Sequence, residues 1–125
     1  MKIKFYKCMT CGNVIVKAVD SGVPVMCCGA PMQELAANKE DAAVEKHVPA
    51  VTIDADKIEV VIGDTVHPMM DAHYIQFICL ETEIGFQIKQ LTPEDEPKAV
   101  FAACDGKPLA VYELCNLHGL WVKEL

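Results

Sequence analysis

The chain has 125 residues, 52% of them hydrophobic and 23% charged, which suffices for one ordinary domain or for a small domain beside a moderate one. A net charge of −7 argues against nucleic acid as the main partner, because phosphate binding needs a basic face. No apolar run approaches the ~20 residues of a membrane span, and the opening MKIKFYKC lacks the apolar stretch and cleavage site of a secretory leader, so a soluble, cytoplasmic chain with no membrane partner is expected.

Residues 1–36 hold two cysteine pairs, Cys8-Met9-Thr10-Cys11 and Cys27-Cys28. Between them, Asn13 to Val19 is β-branched and predicts a strand, bounded by the turn signals Asp20-Ser21-Gly22 and Gly29-Ala30-Pro31. A unit this short buries little apolar surface, and below roughly 40 residues a metal, disulfides or oligomerisation must help. In a reducing compartment, clustered cysteines bind metal or do redox chemistry more often than they form disulfides. A CxxC turn and a second pair supply four sulfurs, a set that suits zinc or iron. Residues 37–46, ANKEDAAVEK, are polar and predict a linker or one short helical turn.

From Val48 onward the pattern is all-β. Strands are predicted at Ala50–Ile53, Lys57–Ile62, His73–Glu81, Gly85–Leu91, Ala99–Cys104, Leu109–Leu114 and Leu120–Glu124, separated by turn signals. Seven short strands so spaced predict an immunoglobulin-like antiparallel β-sandwich over 47–125. The nearly apolar HYIQFICLE should be a central strand. Buried thiol is the expectation for Cys79, and Cys104 sits near a turn with no chemistry assigned. Trp121 and Phe77 are expected in the core, and Met69 and Met70 to pack.

All four histidines lie in this second part: His47, His67, His73 and His118, the last closing a CxxH turn with Cys115. A lone histidine in a β-domain is usually an ordinary surface or core residue, but strand ends on one side of a sandwich can converge. Four imidazoles and one thiolate are one donor more than a structural zinc needs, and leave one corner of an octahedron open. Imidazoles suit ferrous iron, and a thiolate adds electron density. Redox chemistry on a small oxygen species is the activity expected of such a set.

Two resemblances sharpen these readings. The CxxC…CC arrangement in residues 1–36 resembles desulforedoxin, a minimal rubredoxin-like iron protein, which implies that Cys8, Cys11, Cys27 and Cys28 bind one iron and that the unit is dimeric. EKHVP, HPMMDAHYI and CNLHGLW resemble the superoxide reductase family, and with the first unit the whole chain resembles its two-iron form, the desulfoferrodoxins. That resemblance implies two mononuclear non-haem irons per chain and reduction of superoxide to hydrogen peroxide without release of oxygen. It further implies His47, His67, His73 and His118 in a plane about the catalytic iron, Cys115 axial opposite an open site, and a rubredoxin-like electron donor. Superoxide is an anion and the chain is acidic, so a local cation is needed at the site, and Lys46 is the candidate. The resemblance gives neighbouring Glu45 the role of a carboxylate that occupies the open corner in the oxidised state. A catalytically inert electron-transfer iron protein and a zinc-stabilised binding module are the competing readings.

Overall fold

The computed structural model describes residues 2–40, 47–63, 67–103 and 106–125. The described chain is all-β and divides into two compact units, Lys2–Ala36 and Ala37–Leu125. No described helix is long and apolar enough to cross a membrane.

In the first unit, β1 (Tyr6–Lys7) pairs antiparallel with β2 (Val14–Ile15) on one side and with β5 (Gln33–Glu34) on the other. A second ladder joins β3 (Met26–Cys27) to β4 (Ala30–Pro31). Every strand is two residues long, so the predicted strand over 13–19 is realised only at Val14–Ile15. Beyond Ile15 the short β1 offers no further partner. Lys17 there turns its ammonium to the Val23 carbonyl and Asp20, 3.0 and 3.2 Å away, and lies 4.8 Å from the centre of the Tyr6 ring. Buried apolar side chains here are Ile3, Phe5, Cys8 and Met32. So few contacts cannot offset the ordering entropy of the unit, which leaves the cysteines as its fastening.

The second unit contains all seven predicted strands. β6 (Pro49–Ile53), β7 (Lys57–Ile62) and β10 (Lys98–Ala102) form one sheet, with β7 central. β8 (Ile75–Thr82), β9 (Gly85–Gln90), β11 (Pro108–Cys115) and β12 (Gly119–Glu124) form the other, in the order β12-β11-β8-β9. All pairings are antiparallel, the three-plus-four division of an immunoglobulin-like sandwich. The core is built by period-two alternation. Ile58, Val60 and Ile62 of β7 and Ala99 and Phe101 of β10 pack with Ile75, Ile78, Leu80, Val111 and Cys115 of the other sheet. β9 also reaches across to the free edge of β10: Gln87 Nε2 donates to the Ala102 carbonyl at 3.2 Å and Lys89 Nζ to that of Val100. Those side chains occupy carbonyls that would otherwise template pairing with another chain.

β8 begins at Ile75 rather than at the predicted His73, because His73 bridges back to Met70 instead of extending the ladder. At the same end of the sandwich the β11–β8 register slips between Leu114 and Cys115, which sit opposite Phe77 and Ile75. That bulge kinks the ladder where Cys115 ends β11. Asn38 makes a parallel bridge with Trp121, donating its N–H to the Leu120 carbonyl and accepting from the N–H of Val122, both at 2.9 Å.

Candidate metal centres

The first unit gathers Cys8, Cys11, Cys27 and Cys28, whose sulfurs all lie within 4.8 Å of one another. The CxxC pair sits on the β1–β2 turn, closed by Gly12 N–H to the Cys8 carbonyl at 2.9 Å. The second pair sits on the β3–β4 turn. Neighbouring side chains in extended backbone point to opposite sides, so an adjacent pair converges only if the chain turns sharply. It does so with two consecutive left-handed residues, Cys28 at φ 52° and Gly29 at φ 76°. A non-glycine residue there carries strain of about 1–2 kcal/mol, which something in the site must offset.

The geometry fits a tetrahedral metal and not a disulfide. Cys11 and Cys27 sulfurs are 3.6 Å apart, against ~2.0 Å for an S–S bond and roughly 3.8 Å for the edge of a tetrahedron with ~2.3 Å metal–sulfur bonds. The electrostatics agree. N–H groups of Cys11 and then Thr10 hold the Cys8 thiol down to about 6. Cys28 is pushed up to about 12 by hydrogen bonding with the sulfurs of Cys11 and Cys8, and Cys27 is raised by Cys11 in the same way. Four sulfurs this close resist ionising together, so a cation must replace their protons.

The second set stands at one end of the sandwich. His47 precedes β6, His67 and His73 lie between β7 and β8, Cys115 ends β11, and His118 lies in the turn to β12. Their ring centres form a closed cycle: His47–His67 4.6 Å, His67–His73 4.8 Å, His73–His118 4.9 Å and His118–His47 5.0 Å. A square of that side puts each ring centre about 3.4 Å from the middle, close to a metal–nitrogen bond of ~2.1 Å plus the ~1.1 Å from nitrogen to ring centre. The Cys115 sulfur lies within 4.8 Å of donor nitrogens on both halves, with His47 and His67 in one group and with His73 and His118 in the other. Cys115 is thus common to two groups of donors, and the ring cycle has the size at which four imidazoles and one thiolate fit a mononuclear metal ion.

Burial is graded across the cycle. His47 and His67 are buried with Cys115, whereas His73 is half-buried and His118 exposed, so the set opens to solvent on one side. The His67 Nδ1 lies 2.7 Å from the Pro68 carbonyl. A carbonyl only accepts, so Nδ1 carries the proton and Nε2 keeps its lone pair for a metal. His47 stacks on Trp121 at 4.8 Å and 17°, and its Nδ1 is 3.5 Å from Glu113 Oε1. Trp121 in turn donates its indole N–H to the His118 carbonyl at 3.1 Å. The expected core role of Trp121 is thus accompanied by contact with two histidines.

Glu113 escaped the sequence reading, yet it left a signal. It is the one charged residue in the apolar strand PLAVYELC, two places before Cys115 and so on the same face. Met69 packs against the core and its sulfur accepts the Ile75 N–H at 3.4 Å, while Met70 is exposed. Cys79 is fully buried, and burial pushes its thiol up to about 12, as an inert structural cysteine requires. Glu45, Lys46 and Cys104 lie outside the described residues.

Fold and donor sets together define a metalloprotein of two metal-binding units. Residues 1–35 match the N-terminal domain model of desulfoferrodoxin, and residues 39–124 match the desulfoferrodoxin model itself. A desulfoferrodoxin of Syntrophotalea carbinolica is 43% identical over 98% of this chain and 97% of its own length. One from Nitratidesulfovibrio vulgaris is 38% identical over 97% and 95%. Among solved structures, a superoxide reductase from Treponema pallidum superposes with a TM-score of 0.84 at 30% identity, covering 98% of both chains. A superoxide reductase from Giardia intestinalis, described as the one-iron form, covers 65% of this chain and 99% of its own, with a TM-score of 0.54 at 33% identity. The chain belongs to the desulfoferrodoxin family.

Proposed function

We propose that this chain is a superoxide reductase, which converts superoxide, one electron and two protons into hydrogen peroxide. The observation that carries the reading is the cycle of four imidazoles with Cys115 common to both halves, open to solvent at His118. His47, His67, His73, His118 and Cys115 would hold a ferrous ion, and Cys8, Cys11, Cys27 and Cys28 a second iron. Iron held by the four histidines and Cys115 would supply the reducing electron, its charge left positive by neutral imidazoles and its electron density raised by the thiolate.

Lys46, next to His47, draws the superoxide anion toward an otherwise acidic molecule and holds the water that delivers a proton. Glu45 offers a hard carboxylate suited to the oxidised ion and so favours loss of peroxide. Residues 1–36 act as the four-sulfur unit, 37–46 as the linker and 47–125 as the catalytic domain. The exposed Cys11 and Cys28 favour electron entry at the four-sulfur unit from a rubredoxin-like donor. Its sparse core favours a homodimer, and its reliance on reduced thiols favours the cytoplasm.

The test is stoichiometry under a reduced donor. A reductase forms a peroxide for each superoxide consumed and no oxygen, whereas a dismutase forms one peroxide for every two and releases oxygen. Dismutase stoichiometry, or no consumption at all, would sink the reading. At the same site, Lys46→Ala should keep both irons yet slow the reaction with superoxide, most at low ionic strength, where the field of a lysine is least screened. Pulse radiolysis across a salt series measures this, and an unchanged rate removes Lys46 from the mechanism.

A further inference from the structure

His47 and His67 are buried, whereas His73 and His118 are on the solvent side of the set. His73 is pinned along both edges of its backbone. On one edge its N–H donates to the Met70 carbonyl and its own carbonyl accepts from the Met70 N–H, both at 3.0 Å. On the other edge every flanking group is taken by a single residue, Asn116. Tyr74 N–H donates to Asn116 Oδ1 at 2.9 Å. Asn116 Nδ2 donates to the Ala72 carbonyl at 3.1 Å. The Asn116 N–H donates to the Tyr74 carbonyl at 3.2 Å. From the Ala72 carbonyl to the Tyr74 carbonyl, all five backbone polar groups are thus engaged.

Asn116 lies between Cys115 and His118, so this one residue locks the His73 segment to the turn that carries two other donors. Its chemistry matches the task. An amide offers an acceptor and a donor side by side and copies a neighbouring strand's peptide group, which no carboxylate or hydroxyl does at this reach. Cys115, His118 and His73 are also the residues whose donor atoms form the solvent-side group.

We propose that Asn116 is the positioning residue of the second centre: it holds the Cys115 thiolate and the His118 imidazole in fixed relation to His73, and so sets the strength of the thiolate–metal bond. The inference rests on reading the five donors as an iron site, not on the identity of the substrate.

The experiment uses the iron-loaded full chain and the variants Asn116→Ala and Asn116→Asp. The aspartate keeps an acceptor for the Tyr74 N–H and loses the donor to Ala72. Two readouts are needed: the position of the thiolate-to-iron band in the oxidised protein, and loss of ferrous iron to a competing chelator. Asn116→Ala should shift the band and weaken iron retention by about 10–100-fold, the usual effect of removing a residue that orients a ligand. Asn116→Asp should fall between it and the unmodified chain, and it alone carries the comparison if the alanine variant does not fold. The four-sulfur absorption should stay unchanged in both. An unmoved band, with or without weaker iron binding, overturns the proposal, because a residue that merely supports the fold would not tune the bond. A shifted band in the variants, beside an unmodified iron-loaded chain that fails to consume superoxide, would refute the reductase reading and leave this inference standing.

Discussion

Cys115 is fully buried, ends β11 at a bulge, and brings its sulfur within reach of both halves of the imidazole cycle. Cys115→Ser should therefore abolish the visible thiolate charge-transfer band of the oxidised second centre while leaving the four-sulfur spectrum intact; survival of that band would refute the assignment of Cys115 as a ligand. On the same strand, buried Tyr112 donates to Glu81 Oε1 at 3.3 Å. Burial first, and then the Glu81 charge, raises its phenol above the ordinary value. Folding favours the protonated phenol, so its contribution to stability is complete below ~10, the unfolded value, and is lost as pH climbs through the raised native value. An ultraviolet titration should find Tyr112 still protonated above pH ~10 in the folded chain; ionisation at the free-phenol value in folded protein would contradict that environment. None of this pairing was legible in the sequence, because Tyr112 and Glu81 meet only once β11 and β8 are in register. Glu113 is an intermediate case: its oddity in an apolar strand is visible, but its approach to His47 depends on where the β6 approach folds.

Among the elements, turns do more than strands to build the sites. Adjacent cysteines suggest a strained bite when read as letters, and the structure supplies the means: Cys28 and Gly29 both turn left-handed. A Cβ at Gly29 meets nothing within 4 Å, so Gly29→Ala tests backbone conformation alone. It should cost about 1–2 kcal/mol and speed loss of metal from the four-sulfur centre to a chelator. Unchanged retention would mean the turn tolerates another conformation. The sandwich strands were legible because each is a turn-bounded run of apolar or alternating residues that finds a partner along most of its length. The run over 13–19 misled for the opposite reason: its β-branched residues are genuine strand formers, but only two of them find a partner on β1. His73 misled more locally, since its bridge to Met70 ends the ladder before the apolar pattern does.

At the scale of the whole molecule, the two units differ in what holds them. The first has four buried apolar side chains among its described residues, whereas the second has a sandwich core shared by both sheets. Removing metal with a strong chelator under reducing conditions should unfold residues 2–36 and leave the sandwich ladders protected, as amide hydrogen exchange would report. Protected β1–β2 amides in metal-free chain would contradict it. The nine side chains that the structure gathers into candidate metal groups stand out in the sequence, because metal sites reuse few residue types at tight spacings; their supporting contacts with Trp121, Glu113 and Asn116 come only from tertiary register. The donor sets also differ in span. The four sulfurs fall between Cys8 and Cys28, while the second set runs from His47 to His118. During synthesis the ribosome delivers the first set whole before any residue of the second exists, and His118 follows Cys28 by 90 residues. The centres are thus separated in time of birth: a nascent chain can acquire its first metal while the second site is still incomplete, and only the complete sandwich can acquire the other.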